Sequence, residues 1–99
     1  MPKDVRKTLE YTKWFEGLSD SRTRMKITAR IMRLAEGNPG DSRFLGKRLS
    51  ELRIDHGPGY RVYYMETERE IIILLCGGDK STQQGDITKA RELAEKFIA

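Results

Sequence analysis

Residues 50–64 read SELRIDHGPGYRVYY, and this stretch restricts the fold more than any other in the chain. Leu52 and Ile54 alternate with Arg53 and Asp55. Past His56-Gly57-Pro58-Gly59, the residues Tyr60, Val62 and Tyr64 alternate with Arg61 and Tyr63. Successive side chains on a strand point to opposite faces, and a glycine-proline-glycine turn between two such runs makes an antiparallel hairpin. If Leu52, Ile54 and Val62 face the core, then Arg53, Arg61 and Tyr63 share the opposite face. A hairpin requires the turn. It does not require Arg61.

The rest of the chain supplies elements to pack on that hairpin. VRKTL, residues 5–9, reads as a short first strand. In EYTKWFEGL the large groups Tyr11, Trp14, Phe15 and Leu18 fall at helical spacing. A second helix follows, with Asp20 or Ser19 as N-cap and Gly37 as its left-handed stop. Its Ile27, Ile31 and Leu34 form one stripe, while Arg22, Lys26, Arg30 and Arg33 form another. GNPGDSRFLG, residues 37–46, reads as a loop. ETERE, residues 66–70, turns the chain into IIILLC, whose lack of alternation fits a central strand covered on both faces. Gly77-Gly78 opens a polar loop, GGDKSTQQG, and Asp86 caps a last helix with the stripe Ile87, Ala90, Ala94 and Phe97.

The expected architecture is α+β, as a single domain over residues 1–99. Two N-terminal helices pack on a small curved antiparallel sheet of three to four strands, and a C-terminal helix completes it. Helices on one face would leave the other partly open, with Arg53, Arg61 and Tyr63 on it and the Lys80 loop at its end.

Composition narrows the function. Lysine and arginine outnumber acids 19 to 15, a modest net charge of +4, so where the charge sits matters more than its size. Residues 22–33 hold Arg22, Arg24, Lys26, Arg30 and Arg33 with no acid among them. One cysteine, Cys76, excludes an internal disulfide, and a single histidine, His56, argues against a Cys/His zinc site. MPKDVRKTLEY has no signal-peptide character, and the longest apolar run, Ile71–Cys76, is far too short to cross a membrane. The expectation is a cytoplasmic protein with no membrane contact.

WFEGL before the basic helix, then GNPGDSRFLG, LSELRIDHGPGYRVYY and IIILLCGGDKSTQQGDI, occur in an order and spacing that resemble the RelE/ParE toxin superfamily. More narrowly, the chain resembles the HigB-like addiction module killer proteins of type II toxin–antitoxin systems. The resemblance implies a RelE-like fold and a cognate antitoxin of helix-turn-helix type from an adjacent gene, so that operator DNA is met only through the antitoxin. RelE-like members cut messenger RNA on the ribosome without a metal or other cofactor and so inhibit translation. ParE-like members instead poison DNA gyrase, which is the alternative function.

Carried over residue by residue, the resemblance implies that Arg61 contacts the scissile phosphate and that Lys80 is a second basic group. Lys47, Arg48 and Arg53 match RNA-binding basic residues of the preceding strand. The sequence departs from the pattern at residues 80–88, KSTQQGDIT, which lack the histidine or tyrosine many RelE-like nucleases carry there.

Metal-free cleavage drives the 2′-hydroxyl into the adjacent phosphate. It needs a proton acceptor, a proton donor for the leaving 5′-oxygen, and cations to meet the developing charge. Arg61 suits the last role, because a guanidinium stays charged and grips phosphate through two N–H groups. Asp79 and His56 are the candidate bases, and Tyr63 shares the face of Arg61. The helix face of Arg22, Lys26, Arg30 and Arg33 is open to ribosomal RNA or to an acidic antitoxin segment, and is otherwise a solvated surface. The plain structural alternatives are an Arg61 paired with Glu51 or Asp55, a His56 that only shapes its turn, and a Cys76 buried in the core.

Overall fold

The computed structural model describes residues 2–98. In chain order the elements are β1 (Val5–Lys7), α1 (Leu9–Glu16), α2 (Ser21–Ala35), β2 (Ser42–Gly46), β3 (Leu49–Ile54), β4 (Tyr60–Glu66), β5 (Ile72–Asp79), a 3₁₀ turn (Lys80–Thr82) and α3 (Gln83–Ile98). The strands form one sheet in the order β1-β5-β4-β3-β2. The expected hairpin is present, with Leu52 opposite Val62 and Arg53 opposite Arg61.

Several expectations are corrected. The sheet has five strands rather than three to four, and it is mixed, because β1 runs parallel to β5. The second half of GNPGDSRFLG is β2, paired antiparallel with β3. As an edge strand it leaves Phe44 69% exposed, so no buried alternation marks it in the sequence. The helices also do not share a face. Leu52, Ile54, Val62, Tyr64, Ile72 and Leu74 pack against Tyr11 of α1 and Ile27, Ile31 and Leu34 of α2. On the opposite face Leu49, Tyr63, Met65, Ile73, Leu75 and Cys76 pack against Ala90, Leu93 and Ala94 of α3. The face expected to be open is therefore half covered.

IIILLC lacks alternation because, as expected, both faces of β5 are covered, Ile72 and Leu74 on the α1–α2 side and Ile73, Leu75 and Cys76 on the α3 side, and a bulge interrupts the register. Tyr63 pairs with Cys76 while Tyr64 pairs with Leu74, so Leu75 is the extra residue and joins Cys76 on the α3 face. Downstream of it the two glycines face opposite layers. A Cβ on Gly77 would lie 2.3 Å from the Trp14 ring of α1, and one on Gly78 would lie 1.8 Å from the Asp86 carboxylate of α3. The GG dipeptide thus leaves room for Trp14 of α1 on one face and Asp86 of α3 on the other.

Caps fix the helix entries. The Asp20 side chain accepts from the Arg22 N–H at 3.0 Å and from the Thr23 hydroxyl at 3.1 Å, and Gly37 follows α2 at φ +91°. The last helix starts earlier than expected. Asp79 caps the 3₁₀ turn, the turn runs directly into α3, and Asp86 lies in the first turn of α3, where its charge suits the helix dipole.

Candidate functional site

The site is built at the end of the sheet where the β3–β4 turn meets the start of α3. Gly57 and Gly59 adopt positive φ, +55° and +82°, and make the turn tight. β4 leaves this turn with Arg61 directed to the α3 face, while β5 ends beside it and hands Lys80 to the 3₁₀ turn. Arg61 Nη1 and Lys80 Cβ each lie 3.7 Å from where a Cβ on Gly59 would stand. The glycine leaves room for the Arg61 guanidinium and the base of the Lys80 side chain to lie side by side.

Behind them lies a side chain that sequence reasoning treated only as a possible surface partner. Glu51 is fully buried. Its Oε1 accepts from Gln83 Nε2 at 2.9 Å, and its Oε2 accepts from Arg53 Nε at 3.0 Å. Arg61 Nε approaches Oε1 to 3.4 Å as an ion pair without hydrogen-bond geometry, and Arg61 Nη1 donates to the Gly59 carbonyl at 3.1 Å. Burial alone would raise the Glu51 pKa. The bonds from Gln83 and Arg53 and the charges of Arg61 and Arg53 outweigh it, so the carboxyl is held below its ordinary range.

The other candidates divide sharply. Arg53 joins the cluster and also lies 3.9 Å from Asp41 Oδ1. Asp79 stands near Lys80 and Arg61, but its carboxylate takes the side chain and backbone N–H of Ser81, which hold its pKa down and make it a poor proton acceptor. His56 is turned to the other face of the sheet, with Nε2 3.1 Å from the Thr23 hydroxyl of α2 and its ring over Tyr60. Tyr63 does share the face of Arg61, but it is fully buried under α3, not open to a nucleotide base. Burial, reinforced by the charges of Glu51 and Asp86, raises its phenol pKa, and its hydroxyl has no hydrogen-bond partner among the described residues.

Lys47 and Arg48 form the turn between β2 and β3, both at positive φ. That turn is at the opposite end of β3, about 17 Å from Arg53 at strand rise, and Arg48 pairs there with Glu68 at 2.8 Å. Arg22, Lys26 and Arg33 are exposed on α2, across the sheet from Arg61. Arg30 differs from them: its guanidinium donates to the carbonyls of Arg53, Pro39 (2.8 Å) and Asp41 (3.2 Å), stapling the loop before β2 to β3. Among the described residues no group of three or more His, Cys, Asp or Glu side chains is arranged to hold a metal.

The structure thus gathers Arg61, Lys80, Asp79 and Arg53, and sets Lys47, Arg48, His56 and the α2 cations apart. It adds Glu51 and Gln83. Glu51 had a legible signal, since it alternates with Leu52 and so shares the face of Arg53. Gln83 had none.

The family described as Phage derived protein Gp49-like (DUF891) matches residues 13–96. The chain belongs to this family. An uncharacterized protein of Haemophilus influenzae is 46% identical over 97 residues, covering 98% of each chain. Among solved structures, this Gp49-like chain superposes on a free-state variant of the E. coli toxin RelE with a TM-score of 0.74 at 15% identity over the full length of both chains. It also superposes on a chain of the RelBE2 toxin–antitoxin complex of Mycobacterium tuberculosis with a TM-score of 0.65 at 16% identity, covering 81% of this chain and all of that one. The Gp49-like chain has the RelE fold.

Proposed function

We propose that this chain is the toxin of a type II toxin–antitoxin module of HigB-like kind. In this reading it is a metal-independent endoribonuclease that cuts messenger RNA on the ribosome and is neutralised by its antitoxin. The observation that carries the reading is that Arg61 and the stem of the exposed Lys80 meet at Gly59, at the end of the sheet. The likeness to the RelBE2 toxin–antitoxin complex supports an antitoxin partner. The acid-free cationic face of α2 beside the exposed Met25 and Met32 suits an acidic segment of one.

In the reaction the substrate's 2′-oxygen bonds to phosphorus, the bond to the 5′-oxygen breaks, and charge grows on the non-bridging oxygens. Arg61 meets that charge with a preoriented guanidinium, and Lys80 adds a mobile second cation. One such donor is worth roughly a hundred- to a thousand-fold in rate. Asp79 serves the site by capping the turn that presents Lys80. With His56 turned away and the Asp79 carboxylate tied up by Ser81, this reading takes the proton acceptor from the complex with the ribosome and message. The in-line geometry comes from that complex as well.

The test is to map mRNA 5′ ends in a bacterial host minutes after inducing the wild type, Arg61→Ala and Lys80→Ala. New in-frame cuts within translated messages are expected from the wild type, with none from Arg61→Ala and fewer from Lys80→Ala. Growth arrest without new ends removes the nuclease reading, and an early DNA-damage response would then favour a gyrase poison of ParE type. Harmless expression of the wild type without any antitoxin removes the toxin reading altogether.

A further inference from the structure

Arg53 and Arg61 stand directly opposite each other in the β3–β4 register. Like charges so placed repel, and one carboxylate, Glu51, lies against both. A buried ion pair is a weak source of stability, because an apolar cluster of the same shape folds as well. What such a cluster supplies is geometry. The Arg61 guanidinium is pinned at two edges, Nε beside Glu51 and Nη1 on the Gly59 carbonyl, while Nη2 makes no hydrogen bond among the described residues. Glu51 is in turn fixed from α3, because Gln83 is the first residue of that helix and its amide holds Oε1. Oε1 is the same oxygen that faces Arg61.

We propose that Glu51 is the positioning residue that aims Arg61, and that Gln83 sets Glu51, so that the start of α3 controls the aim of a cation on β4 through a carboxylate on β3. The inference rests on the reading of Arg61 as the phosphate-binding cation. Glu51 offsets the repulsion between Arg61 and Arg53 and leaves the Nη2 end of Arg61 free for the ligand. Gln83 prevents the carboxylate from rotating wholly onto Arg53, which holds the stronger hydrogen bond.

Two variants of the full chain test this, Gln83→Met and Glu51→Gln, each close to its parent in volume. The first readout is the Arg61 Nε–H signal in the nitrogen–proton spectrum, assigned by its loss in Arg61→Lys. In the wild type this buried N–H should exchange slowly with water. In Gln83→Met it should exchange far faster, while the backbone amide spectrum outside the site stays in place. The second readout is cleavage of a message on programmed ribosomes by purified protein. The rate at saturating ribosome should fall, up to roughly a hundred-fold for a misplacement of about an ångström, with the half-saturating concentration unchanged. An unmoved Arg61 signal overturns the proposal, and so does an unmoved rate in both variants. If the wild type itself cuts nothing, the nuclease reading has failed, and the spectrum alone then decides whether Glu51 and Gln83 hold Arg61.

Discussion

Replacing Gly77 by alanine should unfold this protein at a much lower temperature. An added Cβ would stand 2.3, 2.4 and 2.6 Å from three atoms of the Trp14 ring. Carbon atoms in contact prefer about 3.5–4.0 Å, so the ring must retreat by more than an ångström. It has little room to do so, with Tyr11 at 5.7 Å and Tyr60 at 6.4 Å between ring centroids. Either α1 lifts from β5 or the indole leaves its rotamer. Overpacking of this kind costs about 1–3 kcal/mol, and a rigid ring blocked by a backbone-fixed carbon belongs at the upper end. In a domain of 99 residues, about 3 kcal/mol lowers the melting temperature by roughly 12–24 °C. Gly78→Ala makes the shorter contact, 1.8 Å to Asp86 Oδ2, yet should cost less, because a carboxylate can swing aside. Thermal unfolding followed by circular dichroism measures all three proteins. Emission of the single tryptophan, Trp14, reports whether the ring has moved. Gly77→Ala melting with the wild type at an unchanged emission maximum would refute the reasoning, and so would Gly78→Ala proving the worse of the two.

Three further outcomes follow from the same geometry. Arg30→Ala removes a guanidinium shared by three carbonyls, so it should cost about 1.5–3 kcal/mol and speed amide exchange in residues 39–44 without slowing any cleavage. Glu51 is held below its ordinary range in the folded chain, so its stabilisation is full above about pH 4.3 and is lost as pH falls through the folded value. Glu51→Gln should therefore flatten the acid limb of stability against pH, and an unchanged limb would contradict the assignment. Burial, with Asp86 nearby, pushes the Cys76 thiol up to about 12, so a thiol reagent at pH 8 should label it only after unfolding.

The hairpin was legible because period-two alternation and its turn are local. The same alternation correctly placed Arg53, Arg61 and Tyr63 on one face. It could not show what covers that face, which depends on α3 having Ala90 and Ala94 where it presses on the sheet. These small residues read in sequence only as part of a stripe. β2 was hidden because its Phe44 points outward, and the start of α3 because Asp86 precedes an apolar run and so imitates a cap. The network behind Arg61 was least legible. Glu51 and Gln83 lie 32 residues apart, and a glutamate between two arginine-bearing positions looks like surface until the opposite layer closes over it.

The two cations of the proposed site are held in different ways, and that difference has a consequence for exchange of lysine and arginine. Arg61 sits on a strand with its side chain only 13% exposed, placed through Nε and Nη1. Lysine has one charged centre and no planar fork, so Arg61→Lys keeps the charge and loses both the anchoring and the bidentate grip. Lys80 stands exposed on a 3₁₀ turn, and none of its side-chain atoms makes a hydrogen bond among the described residues. A point charge of that kind is replaceable, so Lys80→Arg should retain most activity. Induced in the same host, Arg61→Lys should relieve growth arrest nearly as fully as Arg61→Ala, whereas Lys80→Arg should arrest growth like the wild type. If Arg61→Lys stays toxic, charge alone suffices at that position and the fixed geometry around Glu51 serves only the fold. If Lys80→Arg fails while Lys80→Met survives, Lys80 is not a phosphate cation, and the site reduces to Arg61 with Arg53 behind it.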